Sequence, residues 1–191
     1  HVVVGQPGVW KGALWKRINA FLTCLVNDRD TAHAEIVVSL IPKLGQVAIA
    51  HWRNQCRDSR YAQDECIRLL YSIFFLPRKG KKTQAGKHLT AFLSWWEELR
   101  ALPRDTTLYE LMVRILRSPY FDSYLRFEKC KGEKDERRVT RDRLYGKVIL
   151  SRTKDFDKEK GEEETLVSKI RTFLDAIAVA ETDTEEATSK K

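Results

Sequence analysis

Apolar residues recur at spacings of three and four along most of the chain, the signature of helices with one buried face. From Trp10 to Val26 they stand at Trp10, Leu14, Trp15, Ile18, Phe21, Leu22 and Leu25. Asn27-Asp28-Arg29-Asp30-Thr31 is polar, and either Asp30 or Thr31 can cap a short helix from Ala32 to Leu40, which Pro42 stops. A helix from Leu44 to Cys56 is expected to turn Val47, Ile49, Ala50 and Trp52 inward, and Tyr61 to Phe75 is strongly apolar at Ile67, Leu69, Leu70, Ile73 and Phe74. Pro77-Arg78-Lys79-Gly80-Lys81-Lys82 reads as a basic loop. His88 to Leu102 carries Leu89, Phe92, Leu93, Trp96 and Leu99. Trp95 and Trp96 are adjacent, so only one can face inward.

Pro103-Arg104-Asp105-Thr106 is a break with a capping signal, and Glu110 is placed to support the start of a helix over Thr107 to Arg117. Ser118-Pro119 ends that helix and starts another through Phe121, Tyr124 and Leu125. Lys129 to Arg138 reads as a charged loop, Arg141 to Phe156 as a weakly periodic helix, and Asp157 to Glu164 as a mobile, solvated charge run. Leu166 to Val179 is amphipathic, and beyond Glu181 no apolar anchor remains, so fraying is expected. Val2 to Val4 is a short β-branched run, the remnant of a strand. The fold class is all-α, an irregular domain of about eight helices plus that remnant. Phe92, Trp96, Leu111, Ile115, Phe173 and Ile177 are expected to share one core, since they line the most amphipathic helices.

Composition narrows the picture. With 191 residues, 42% of them apolar and 32% charged, the chain can build a core and is not disordered throughout. No apolar run approaches the roughly 18 residues a membrane span needs, so no membrane role is expected. Nine glycines and five prolines argue against a turn-rich β fold. The 35 basic residues exceed the 27 acidic ones by eight, which favours an anionic partner without locating its site. Cys24, Cys56, Cys66 and Cys130 form no CxxC pair and no metal-binding spacing, so they read as free thiols in a reducing compartment, and an intracellular location is expected. The chain opens on His1 without an initiator methionine, and is expected to be a piece of a longer or processed protein.

Catalytic patterns are missing. There is no GxxxxGK[ST] phosphate loop, no HExxH and no GxSxG. Glu97 and Glu98 point about 100° apart on a helix and make no paired-carboxylate site. No catalytic residue, metal ligand or cofactor site is expected in this segment.

Read in order, the landmarks resemble the UvrD/Rep/PcrA family of superfamily 1 DNA helicases. Val2-Val3-Val4-Gly5-Gln6, Trp10 and the helix to Val26 stand where that family has a strand, a Gly-Gly turn, an aromatic and a helix; Asn27 to Asp30 matches its Asn-x-x-Asp stretch. Leu40-Ile41-Pro42-Lys43-Leu44-Gly45-Gln46-Val47 holds the place of its Leu-Pro-x-Arg-Gly-Ile-Gly turn. Leu89-Thr90-Ala91-Phe92, Leu108-Tyr109-Glu110-Leu111, Ser118-Pro119-Tyr120 and Leu166 through Ala178 follow in the family's order.

The resemblance covers nearly the whole chain and rests on order and spacing. It implies the edge of helicase subdomain 2A over 1–26, the inserted helical subdomain 2B over 27–186 and a tail over 187–191. The implied function is regulation of unwinding in a parent 3′→5′ helicase, by contact with duplex DNA or a duplex/single-strand junction and with the rest of the motor. DNA repair is the implied process, and the nucleus or cytoplasm/nucleoid the implied location. ATP and Mg²⁺ would bind elsewhere in the parent. The implied phosphate contacts are Lys43, Gly45, Gln46, Arg53 and Arg57 near the turn, and Arg78, Lys79, Lys81 and Lys82 in the basic loop. Gln6 and Val47 replace family glycines, Leu14 and Arg17 replace an acidic pair, and Val47 is expected to weaken duplex contact. A helical protein-interaction module without a DNA role is the alternative for the same residues.

Overall fold

The three-and-four spacing becomes helix almost everywhere. A computed structural model describes residues 7–61, 64–75, 84–126, 130–160 and 164–189, and those residues are all-helical, with no strand among them. The Val2–Val4 remnant and the cluster Arg78, Lys79, Lys81 and Lys82 lie outside the described residues. The α-helices are α1 (Pro7–Trp10), α2 (Ala13–Val26), α3 (Thr31–Val38), α4 (Gln46–Arg57), α5 (Gln84–Arg100), α6 (Leu108–Leu116), α7 (Pro119–Leu125), α8 (Glu133–Lys160) and α9 (Leu166–Ser189). Short 3-10 helices cover Ser59–Tyr61 and Arg68–Phe75. No described helix is long and apolar enough to cross a membrane.

The chain divides into two compact units, one of residues 1–19 and 103–191, the other of residues 20–102. The boundary falls inside α2, between Asn19 and Ala20. Each unit has its own core. The six residues expected to share one core are all buried, yet Phe92 and Trp96 belong to the second unit and Leu111, Ile115, Phe173 and Ile177 to the first. Amphipathic periodicity shows which face a helix buries and not which helix it is buried against.

In the first unit, α6 packs on α7, α8 and α9, while α1 packs on α8 and α9. The Trp10 ring meets Trp15 edge to face at 4.8 Å, and Phe173 meets Phe156 the same way at 5.3 Å. Gly12 sits at a close approach. A β-carbon there would stand 3.1 Å from the Val9 carbonyl oxygen and 3.2 Å from the Tyr145 ring.

Charged segments read as loops are helical here. α8 begins at Glu133 and runs through Asp157 to Lys160. Its long polar stretches hide isolated anchors: Val139, Ile149 and Phe156 are buried. Asp157, expected in a solvated run, points its carboxylate at the start of α6, accepting from the Leu108 amide at 3.0 Å and the Tyr109 amide at 2.8 Å. Thr107 closes the same terminus with a reciprocal capping box, its hydroxyl on the Glu110 amide and the Glu110 carboxylate on its own. The cap is thus one residue later than the break signal ending at Thr106. α9 stays helical to Ser189, past the Glu181 point where fraying was expected.

In the second unit, α4 packs on α3 and on both 3-10 helices, and α5 packs on the 3-10 helix Arg68–Phe75. Phe21, Trp52, Leu70, Leu89, Phe92 and Trp96 are fully buried, with Phe92 stacked on Trp96 at 6.3 Å. Trp96 takes the inward position and Trp95 is half-buried, as their adjacency requires. Asp30, not Thr31, caps α3, accepting from the His33 amide at 2.9 Å. Arg100 pairs with Asp28 and Glu65, and Arg68 with Glu65 and Glu97, which joins α5 to the two loops.

Candidate nucleic-acid interface

The turn before α4 departs from ordinary backbone geometry. Lys43 has φ of 62°, left-handed and unfavourable for a residue with a β-carbon. That turn lets the chain reverse after α3, whose end is marked by Ser39, and enter α4 at Gly45. Gly45 is the N-cap of α4, with φ of −75° and ψ of 159°. It supplies no side-chain hydrogen bond, and the first intrahelical bond is Ile49 N–H to the Gly45 carbonyl at 3.1 Å. The amides of Gln46, Val47 and Ala48 therefore stand ahead of that bond at the positive end of the helix dipole.

Glycine at position 45 is not required by crowding, since nothing lies within 4 Å of where its β-carbon would be. Nor is φ left-handed there. The residue in need of conformational freedom is Lys43.

The expected inward set of α4 is corrected. Trp52 is buried and its indole N–H donates to the Cys66 carbonyl at 2.7 Å. Ile49 is half-buried, Ala50 is exposed, and Val47 is 80% exposed. α4 has one narrow buried stripe, so apolar residues two positions apart cannot share it.

Gln46, Ala50 and Arg57 occupy an exposed face, with Arg53 at its edge towards α3. At 100° per residue they fall within about 60° of one another, along roughly 16 Å of helix. Gln46, Ala50 and Arg57 are exposed. The structure does not gather the expected cations around the turn: Arg57 lies in the last turn of α4, at the far end from Gly45. Arg53 is half-buried and ion-paired with Glu35 of α3. Sequence reasoning missed Glu35, since 18 residues separate the partners and only the packing of α3 on α4 brings them together. Among the described residues, no acidic side chain pairs with Lys43 or Arg57.

The arrangement offers the first amides of α4 and Lys43 at one end, Arg57 at the other, and an exposed alanine, Ala50, between them. Among the described residues no group of three or more metal-ligating side chains converges. No family model, curated protein or solved structure matches the chain.

Proposed function

We propose that this chain is an accessory helical module of a superfamily 1 DNA helicase, which contacts duplex DNA or a duplex/single-strand junction through phosphates and regulates unwinding. The observation that carries the phosphate contact is the exposed stripe of α4, headed by the Lys43 turn and closed by Arg57. The excess of eight positive charges supports the same reading through long-range attraction. The ordered landmarks from Trp10 to Ala178 support the helicase assignment. Such contacts grip the backbone and read no bases, so binding is sequence-independent.

The test is a fluorescence titration of the full chain against a duplex/single-strand junction at several salt concentrations. Binding should weaken steeply with salt, since each neutralised phosphate releases a counterion. The double variant Lys43→Ala/Arg57→Ala should lower the log–log salt slope by about 2, close to 0.9 for each lost contact. Arg53→Ala is the poorer probe because it also strands Glu35. Val47→Gly should tighten binding if the branched side chain hinders approach of a phosphate. Binding that is flat with salt, or unchanged in the double variant, would leave the protein-interaction module as the reading of this face.

A further inference from the structure

The charges of α8 are not evenly mixed along its length. From Arg137 to Lys154, about 26 Å of helix, seven residues are basic and one, Asp142, is acidic. Asp142 is 1% exposed, on the buried stripe, and pairs with Arg138 and Arg141. The exposed charges of this stretch are therefore all cationic. At the helix ends the signs alternate: Arg137 reaches back to Glu133, Lys158 pairs with Asp155 and Arg152 with Glu159. In the middle, Arg137 and Arg141 are like charges four positions apart, and so are Arg143 and Lys147, an arrangement that disfavours a helix. An anion lying across them relieves that repulsion.

The exposed cations form two rows. At 100° per residue, Arg137 and Arg141 fall within about 40° of each other, and Arg143, Lys147 and Lys154 within about 40° on a second line about 120° round the helix. Between the rows runs an uncharged ridge of Thr140, Leu144 and Ser151, all exposed, with Leu144 at 55%. Arg138 and Arg152 are half-buried at the margin. Arg143 donates to the Leu125 carbonyl, and among the described residues no acidic side chain pairs with Lys147 or Lys154.

We infer that α8 lies along a groove of a double-stranded nucleic acid, its uncharged ridge towards the groove floor and its two rows on the phosphates of the two strands. A helix with its side chains is about 10–12 Å across and the major groove of B-form DNA about 12 Å wide, so the shapes match. The ridge carries no arginine, asparagine or glutamine to read base edges, so the contact is sequence-independent. A membrane-surface helix turns a broad apolar face outward; in α8 Val139, Ile149 and Phe156 are buried, and Leu144 is its one exposed large apolar side chain among the described residues. A single acidic peptide would meet one row and leave the other unmatched. This contact shares its class of partner with the α4 reading and none of its residues.

The test is a fluorescence titration of the full chain against a random-sequence duplex, with the equal-length single strand and phosphatidylserine vesicles as competitors. Lys147→Ala/Lys154→Ala should lower the log–log salt slope by about 2, close to 0.9 for each lost contact. Leu144→Glu, which sets an acid on the exposed ridge, should weaken duplex binding by roughly tenfold. Acetylation of the wild-type chain with and without duplex is a second readout that decides even if a variant fails to fold: duplex should protect Lys147 and Lys154. An α8 double variant that binds like wild type, while Lys43→Ala/Arg57→Ala binds less tightly, would overturn this inference and leave the α4 contact standing. Loss confined to the α8 variants supports it and removes the α4 contact. Equal competition by duplex, single strand and vesicles, or equal acetylation of the two lysines in both states, would also overturn it.

Discussion

Asp30 shows how one side chain sets a local structure and its response to pH. Burial is the largest influence on its carboxyl and pushes it up, but the His33 amide, the His33 ring and the Ala32 amide together outweigh that and hold it below its ordinary value. The ionised form is therefore the one the fold favours. Stability from this charge is fully present above the unfolded value near ~4 and is lost as pH falls through the lower folded value. Asp30→Ala should lower stability by about 1 kcal/mol at neutral pH through loss of the cap. In urea melts repeated at falling pH, the gap to wild type should narrow below about pH 4; a gap independent of pH would show that the charge contributes nothing. Lys43, by contrast, could not be singled out from composition. Its left-handed backbone is imposed by the reversal between α3 and α4, where glycine would be the easier choice.

At the scale of elements, the start of α6 is held from two directions. Thr107 and Glu110 form a local cap that the sequence signals, and Asp157 adds two acceptors from a helix 48 and 49 residues away. Asp157→Ala should cost about 1–2 kcal/mol, in the range of a lost N-cap, and Asp157→Asn less. Thermal melts of both variants check this; an Asp157→Ala protein as stable as wild type would mean the local capping box suffices. The same helix, α8, explains why polar composition misled. Its charges are spread around most of its circumference, and a few buried residues, with Asp142 held by Arg138 and Arg141, are enough to seat it. The α4 face has the opposite character, with a single buried tryptophan and an outward stripe of exposed Gln46, Ala50 and Arg57, while Arg53 at its edge is held by Glu35.

At the scale of the whole molecule, two cores replace the one expected. Phe92→Ala and Phe173→Ala each remove a buried aromatic and should each cost roughly 3–5 kcal/mol. Amide hydrogen exchange should localise the damage: Phe92→Ala should lower protection mainly within residues 20–102, and Phe173→Ala mainly within residues 1–19 and 103–191. Equal loss of protection across both units from either change would show that they unfold as one.

What the sequence by itself determined was local. The spacing of Leu108, Leu111, Ile115 and Leu116, the Thr107/Glu110 cap and the restart at Pro119 depend on neighbours within a few residues, so the amphipathic helices and the all-α class were legible, while the charged ends of α8 were not. The tertiary structure decided everything that depends on distant partners. It placed Phe92 and Phe173 in separate cores, tied Arg53 to Glu35, brought Asp157 to α6 and set the Trp52 indole on the Cys66 carbonyl. The physical reason is that periodicity records only which side of a helix avoids water, while ion pairs, remote caps and side-chain-to-backbone hydrogen bonds arise when particular buried faces meet, and no spacing along the chain encodes that meeting.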